Sequence, residues 1–116
     1  MSIPDAPDTI THRSRLWLWT TPQAPAKWHF ITIEGEAGEA IAAHEAMRRL
    51  ELGPRAGGRR GFGSVKVRVQ IGASEWATSV FPSKAEGGYL LPVKAAVRKA
   101  EKLAAGDMAE VRLELL

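Results

Sequence analysis

The three histidines are the residues of this chain best suited to metal or acid–base chemistry, and their spacing forms no known catalytic pattern. His44-Glu45 begins like the helical zinc-protease pattern, in which two histidines lie four residues apart, but Arg48 stands where the second histidine belongs. His44 falls on the apolar stripe of a predicted helix and His29 lies in a predicted strand, so we interpret both as structural. Because the chain also has no cysteine, we predict no metal site.

Ser79 and Lys84 are the candidates for nucleophilic catalysis. A catalytic serine needs a base within hydrogen-bond reach and is often held on a sharp turn. Ser79 instead lies within a predicted strand, and the sequence places no histidine or carboxylate to activate it. Paired carboxylates are not evident either. We therefore predict no catalytic residue and no cofactor, and we favour a non-enzymatic protein.

Residues 57–64 (GGRRGFGS) are rich in glycine and arginine. Phosphate-binding loops are also rich in glycine. A P-loop leads from a strand into a helix and ends with a lysine, whereas this segment leads into a predicted strand. We interpret Gly61 and Gly63 as a bulge or a tight corner of a sheet. Binding of an anion by Arg59 and Arg60 stays open as the alternative.

The aromatic residues are numerous for a chain of this length. Four tryptophans, three phenylalanines and one tyrosine are more than the interior of one small barrel easily holds, and we predict that most of these aromatic residues are in the core. Any that line a pocket instead would stack on a ligand, a base or a partner. The candidate ligand-binding residues from this and the preceding patterns are Trp17, Trp28, His29, Arg59, Arg60, Trp76, Ser79 and Lys84.

A second group of candidates lies on the predicted helix that follows Pro92, whose outer side is basic. Its cations are Lys94, Arg98, Lys99 and Lys102. Together with a net charge of +3 and a pI of about 9.6, they permit contact with phosphates. A solvated surface is the simpler interpretation, and nucleic-acid binding is kept as the alternative.

The elements that would position these residues are clearest at residues 65–71, where β-branched residues alternate with polar ones. This period of two predicts a half-buried strand. A second, less regular run follows, and a two-residue loop at Ala73-Ser74 would pair Ile71 with Trp76. Pro82 cannot donate a ladder hydrogen bond and is predicted to end the second strand.

Two helices are predicted from apolar residues at steps of three and four. The first covers Ala37–Leu52 and is expected to stop at Gly53 and Pro54. The second begins at Pro92 and ends with Gly106 as a left-handed cap. The full order is strand, strand, helix, strand, strand, short strand, helix, strand. Hairpin-length links imply mostly antiparallel pairing, and a mainly β barrel of about six to seven strands, with a helix at each end, removes the sheet edges.

The composition fits a single globular domain, with 116 residues of which 45% are hydrophobic and 25% charged. Residues 1–12 contain prolines and little periodicity and are predicted to be a flexible tail, while residues 13–116 form one β-barrel domain. No apolar run approaches the roughly 18 residues of a membrane span, and the N-terminus lacks the pattern of a signal peptide. We therefore expect a cytoplasmic protein with no membrane partner.

Several segments, in this order, resemble a known family. They are Trp28–Thr32 (WHFIT), Arg60–Val65 (RGFGSV), Trp76–Pro82 (WATSVFP), Tyr89–Arg98 (YLLPVKAAVR) and Gly106-Asp107. On these segments, and over about residues 14–115, the chain resembles the DUF1905 family of small bacterial domains of unknown function, which occur alone or ahead of a YdeI/OmpD-associated domain. The resemblance implies a double-split β-barrel capped by helices, and it brings no established activity or cofactor.

The segment from Leu91 to Met108 is also similar to swapped-hairpin transcription factors and antitoxins of the AbrB and MazE kind. Those proteins build the barrel from two chains and bind DNA, whereas here one chain holds both halves. Three hypotheses about function follow: a non-enzymatic β-barrel domain that binds an unknown small molecule or protein, a nucleic-acid-binding protein, and a small enzyme or ligand carrier with a Trp-lined pocket. The chain is expected to be a monomer or a homodimer.

Overall fold

The computed structural model describes residues 9–57 and 63–116, and the elements in this part of the chain follow the predicted order. All the strand pairs are antiparallel and close into a barrel in the order β1-β2-β5-β4-β3-β6. The predicted fold class is therefore confirmed. The elements are β1 (Thr9–Thr21), β2 (Ala24–Glu34), α1 (Gly35–Gly57), β3 (Val65–Ile71), β4 (Ser74–Ser83), β5 (Gly88–Pro92), α2 (Ala95–Glu101) and β6 (Met108–Leu115).

The barrel is built from two halves with the same strand pattern, β1-β2-α1-β3 and β4-β5-α2-β6. The first strand of each half changes its neighbour partway along. β1 pairs with β6 as far as Arg15 and with β2 from Leu16 onwards. β4 pairs with β3 as far as Val80 and with β5 from Phe81 onwards. The barrel is therefore split at two places, as the predicted architecture requires.

Branched aliphatic side chains fill the interior. Along β3 every second residue is buried, and β6 shows the same alternation from Ala109 to Leu115. Because a one-residue slip would turn these side chains outward, burial holds the register. The helices add Ile41 from α1 and Val97 from α2 to the same core.

The turn between β3 and β4 differs from the predicted one. Its two residues are Gly72 and Ala73, so Ile71 pairs with Ser74 and Trp76 pairs with Val69 rather than with Ile71. Gly72 has a φ of 57°, the left-handed geometry that tight hairpin turns require and that glycine adopts without strain. The register is thereby shifted by two residues, which leaves every side chain on its predicted face.

Pro82 does not end β4, which continues to Ser83 with Pro82 paired with Tyr89. The pairing of β4 with β3 stops at Val80, so Pro82 lies where β4 has a single neighbouring strand. A proline is tolerated at such an edge position because its missing N–H has no ladder partner to lose.

The first helix is longer than predicted at both ends. It begins at Gly35 and runs to Gly57, through the expected stop at Gly53 and Pro54. A proline removes one N–H donor and disfavours helical geometry for the residue before it, but it does not forbid a helix. Neither described helix is long and apolar enough to cross a membrane.

The second helix is shorter than predicted, because Pro92 is still part of β5 and pairs with Phe30. The N–H of Val93 extends this ladder by donating to the carbonyl of His29 at 2.9 Å, so helical geometry begins only after Lys94. At the other end the left-handed cap is Lys102, with a φ of 56°, and not Gly106.

The predicted boundary between tail and domain also moves. β1 begins at Thr9, and residues 9–12 pair with β6 instead of belonging to a tail. Residues 1–8 lie outside the described residues, as do residues 58–62 of the glycine- and arginine-rich segment. Gly57, the first residue of that segment, is the last residue of α1.

Candidate functional site

The barrel opens where β4 separates from β5. β5 stays paired with β2 as far as Phe30 and Pro92, but its pairing with β4 reaches only from Ser83 to Phe81. Beyond that point β2 and β4 diverge, and the chain from Val93 into α2 lies between them. A groove of about 480 Å³, called the split groove below, occupies this place. Its lining residues are Lys27, Trp28, His29, Trp76, Ala77, Thr78, Pro92, Val93, Lys94, Ala95 and Arg98.

Strand register aims three polar or aromatic side chains into this groove. Trp76 and Thr78 pair with Val69 and Val67, which are fully buried, so all four side chains face the barrel interior. His29 lies two residues before the buried Ile31, so its side chain is on the same inward face of β2. All three residues stay only half-buried, since they lie beyond the end of the β4–β5 ladder.

The second helix brings cations to the same groove. The hydroxyl of Ser74 donates to a carboxylate oxygen of Glu101 at 2.7 Å, which holds the end of α2 on the β3–β4 hairpin. Arg98 is fixed by its Nε, which donates to the carbonyl of Val93 at 3.2 Å. The Nζ of Lys94 lies 6.0 Å from the ring centroid of Trp76, at the outer limit of a cation–π contact.

The groove is positively charged on its described walls. Lys27, Lys94 and Arg98 line it, and none of the described lining residues is a carboxylate. Burial, followed by the charges of Arg98 and Lys27, lowers the pKa of His29 from its ordinary value of 6.5. The imidazole is therefore neutral at pH 7. Its Nδ1 is buried and has no hydrogen-bond partner among the described residues, so it is available to a ligand.

A second groove, called the aromatic trough below, adjoins the first on the outer face of the sheet. Its volume is about 400 Å³, and it shares Trp28 and Pro92 with the split groove. Trp28 is 50% exposed and Trp19 42%, so these rings lie on the surface. The planes of Trp28 and Phe30 are stacked with centroids 6.2 Å apart. The lining residues are Trp19, Trp28, Phe30, Phe81, Leu90 and Pro92.

The prediction that most of the aromatic residues are in the core is wrong. All of them except Phe62 lie in the described part of the chain, and none of these is fully buried. Smaller branched side chains fill the centre of the barrel, and Trp76 packs against them as a half-buried residue. Trp17 is half-buried outside the barrel, where its Nε1–H donates to the hydroxyl of Thr32 at 2.9 Å and its ring packs 5.4 Å from that of Phe30.

The structure brings together part of each predicted set. Trp28, His29 and Trp76, from the ligand-binding candidates, line the split groove with Lys94 and Arg98, from the nucleic-acid candidates. These five residues come from β2, β4 and α2.

The other candidates lie elsewhere. Ser79 pairs with Lys66 on β3, and Lys84 is exposed in the turn after β4; neither lines either groove. Lys99 and Lys102 are exposed on α2 and also lie outside the lining. Trp17 contacts Phe30 without lining a groove. Arg59 and Arg60 lie outside the described residues.

Sequence reasoning missed Lys27, Thr78 and the apolar residues of the trough. One signal was present: Trp28 and Phe30 alternate with the buried isoleucines of β2, which places both rings on the outer face. Within residues 9–57 and 63–116, no three histidine, aspartate or glutamate side chains cluster closely enough to hold a metal ion.

The fold and the groove together define a class: a single-chain, double-split β-barrel domain with an aromatic and cationic cleft at one split. Within that class, the family model described as a domain of unknown function, DUF1905, matches residues 13–113 of this chain. The chain belongs to that family, which confirms the resemblance found in its motifs. No curated protein is found to match the chain.

Proposed function

We propose that the protein is a binding domain that holds a small organic anion with a flat apolar part in the split groove. The observation that carries this proposal is the composition of the lining, which combines Trp28 and Trp76 with three cations and, among its described residues, no carboxylate. The volume of about 480 Å³ falls within the range of small-molecule sites.

Each part of the lining has a separate task in this proposal. The indoles offer rigid apolar faces on which a planar group stacks. Lys94 and Arg98 attract a carboxylate, and Arg98 is already fixed by its hydrogen bond to the main chain. The unpartnered Nδ1 of His29 gives the ligand one further polar contact inside the groove.

Binding is favoured over catalysis by what surrounds His29. A base that activates a nucleophile must hydrogen-bond to it, and the Nδ1 of His29 has no such partner in the described chain. Ser79 and Lys84 lie outside the groove. The hypothesis of a small enzyme with a Trp-lined pocket is therefore placed below that of a binding domain.

The test uses three ligands that share one ring system and differ in charge: indole-3-acetate, indole-3-acetamide and tryptamine. With ¹⁵N-labelled protein, the four indole N–H signals report each tryptophan separately. We expect the acid to shift the signals of Trp76 and Trp28 at the lowest concentration, the amide to need more, and the amine to bind least. The signal of Trp17, which is engaged with Thr32, is the internal control. Equal binding of the three ligands, or a preference for the amine, would contradict the proposal.

Nucleic-acid binding is the second candidate, supported by the cations that α2 carries on and beside the groove. Lys99 and Lys102 extend the charge of Lys94 and Arg98 along this helix. Binding through phosphates falls steeply with salt, because it releases counterions. Titration with a single-stranded and a double-stranded oligonucleotide at low and high salt tests it. A Lys99→Ala, Lys102→Ala double variant should lower the affinity and flatten the salt dependence; absence of salt-sensitive binding would remove this candidate.

The cytoplasmic location and the oligomeric state belong to the proposal as well. We expect the protein in the soluble fraction of the cytoplasm and a monomer or a homodimer in solution. Cell fractionation and light scattering measure these two properties directly.

A further inference from the structure

The split groove and the aromatic trough differ in charge but are continuous. Trp28 and Pro92 line both, so a ligand that leaves the first groove passes over them into the second. The cations that line the two grooves, Lys27, Lys94 and Arg98, all belong to the split groove. The described residues that line the trough are tryptophan, phenylalanine, leucine and proline. The combined surface is therefore cationic at one end and apolar at the other.

We propose that the two grooves form one site for an elongated amphipathic carboxylate. The carboxylate lies between Lys94 and Arg98, and an unbranched apolar tail crosses Trp28 and rests in the trough. This inference depends on the proposed function for its anionic end and adds the class of ligand, a medium-chain fatty acid.

The distribution of charge selects this ligand over a polyanion. A single strand of nucleic acid has a phosphate at every nucleotide and needs cations spaced along its whole path. In the trough, from Trp19 to Phe81, the part of the lining that the structure describes offers no cation. A ligand with one carboxylate and an apolar tail matches this surface, because the carboxylate meets the cations of the split groove and the tail meets the apolar side chains of the trough.

The trough also sets the length of the tail. Its residues come from β1 (Trp19), β2 (Trp28), β5 (Leu90) and β4 (Phe81), which are neighbours in that order. A tail that enters over Trp28 has its longest path towards Phe81, across two interstrand spacings, or about 9.5 Å. An extended chain covers about 3.5 Å in three bonds, so about eight bonds follow this path. With the carboxyl carbon added, we expect affinity to rise with chain length to about ten carbons and then to level off.

The experiment is calorimetric titration of the full chain with straight-chain carboxylates from four to fourteen carbons, each kept below its micelle concentration. Full burial of a methylene corresponds to up to about a fourfold gain in affinity per added carbon. Primary alcohols of equal length test the anionic end and should bind at least tenfold more weakly. The series uses the unmodified protein, so it does not depend on any variant folding.

Three variants locate the ligand. Phe81→Ala, at the end of the trough farthest from Trp28, should weaken decanoate severalfold and leave butanoate unchanged. Lys94→Ala should weaken both acids. Met108→Ala, which removes an equally exposed apolar side chain at the start of β6, should change neither.

The outcomes separate this inference from the function on which it rests. If indole-3-acetate binds at the split groove but affinity for carboxylates does not change with length, the inference is overturned and the proposed function stands. If neither kind of acid binds, both fail. If dilution shows that the trough holds a second copy of the chain, and Phe81→Ala abolishes that association without affecting carboxylates, the inference is overturned as well.

Discussion

The two splits of the barrel use the same exchange of strands, yet they differ in what fills them. Leu16 in β1 and Val80 in β4 are the buried residues at the two exchanges, and aligning them places the two halves in correspondence. His12 then corresponds to Trp76. The Nε2–H of His12 donates to the carbonyl of Thr32 at 3.1 Å, so this side chain is engaged with the barrel wall, whereas Trp76 faces a groove.

The helices account for the rest of the difference. Phe30 pairs with Trp17, and Leu90 pairs with Phe81, so the same alignment sets β2 against β5 through these ladders. Continued into the helices, it places Gly38 of α1 against Arg98 of α2. A Cβ at Gly38 would lie 2.8 Å from the carbonyl oxygen of Ile33, so α1 lies directly on β2 at that point. Arg98, at the corresponding place in α2, lines the groove and adds a charge. The first split therefore has a closely packed glycine where the second has an arginine beside an open, positive groove.

The largest effect, on the free energy of unfolding, is expected at a close main-chain contact that only the first split has. Gly88, which corresponds to Trp28, lies so close to β2 that an added Cβ would overlap the carbonyl oxygen of Ile33 and lie 3.0 Å from the Cα of Glu34. Because both neighbours are main-chain atoms, Gly88→Ala should lower the free energy of unfolding by about 3 kcal/mol. Urea denaturation measures this. The matched control is Trp28→Ala at the corresponding, half-exposed position, which should cost at most about 1 kcal/mol; similar costs for the two variants would disprove the comparison.

The next largest effect is a tenfold loss of ligand affinity, which is expected when Trp76 is replaced but not when its counterpart His12 is replaced. Trp76→Ala removes a ring face from the split groove, and stacking of this kind is worth about 1.4 kcal/mol, or a factor of ten in affinity for indole-3-acetate. His12→Ala, at the corresponding place in the closed split, should leave the affinity unchanged. Thermal unfolding of both variants checks that the barrel is intact. Equal loss of affinity in the two would mean that the groove is not the site.

The pH dependence of binding should be smaller, about fourfold between pH 7.5 and pH 5.5. Burial, Arg98 and Lys27 lower the pKa of His29 in the free protein, and a bound anion opposes the repulsion from these two cations, so it raises the pKa again. Protonation and anion binding then favour each other, and affinity rises as the pH falls through the pKa of the complex towards that of the free protein. An aromatic sulfonate, which stays ionised, is the ligand to use.

The control for the pH experiment is His29→Gln, which should bind the sulfonate with an affinity independent of pH. The other charged residues that line the groove are Lys27, Lys94 and Arg98, and histidine is the side chain whose ordinary pKa lies between pH 5 and 8. If the affinity of the unmodified protein for the sulfonate instead rises with increasing pH, the predicted direction of the pH dependence is wrong.

The smallest effect on stability is expected at the end of α2. The two helices differ in length, since α1 continues for several turns whereas α2 stops at the left-handed Lys102. A residue with a Cβ is strained there, with a φ of 56°. Lys102→Gly should therefore raise the free energy of unfolding by about 0.5–1 kcal/mol. Lys99→Gly, inside the helix, is the counterpart and should lower it by a similar amount. Calorimetric melting distinguishes a rise from a fall.

Much of the scaffold follows from alternation in the sequence. The period of two in residues 65–71 and 109–115 is set by burial of one face, so it predicted both strands and their inward side chains. The turn register was missed because the left-handed geometry of Gly72 outweighs loop length. The helix ends were missed because hydrogen bonds from outside the helix, such as the one between Val93 and His29, decide where helical geometry begins.

The groove was less predictable, since it depends on where one ladder stops. Alternation placed His29 on a strand, but only the early end of the β4–β5 ladder at Phe81 and Leu90 leaves it beside Trp76. The two residues are far apart in sequence, and their proximity is a property of the closed barrel. The same is true of Arg98, whose position depends on how α2 docks onto β4.

The strand exchange has a consequence for how the polypeptide is held together. Of the six ladders, four join one half of the chain to the other: β1 with β6, β2 with β5, β3 with β4 and β3 with β6. Neither half satisfies its own strand edges, so a fragment ending at Ile71 and one beginning at Ser74 should be disordered alone and should reassemble when mixed. Covalent continuity at Gly72-Ala73 is then dispensable, and this turn is the place where the protein tolerates a nick or new termini.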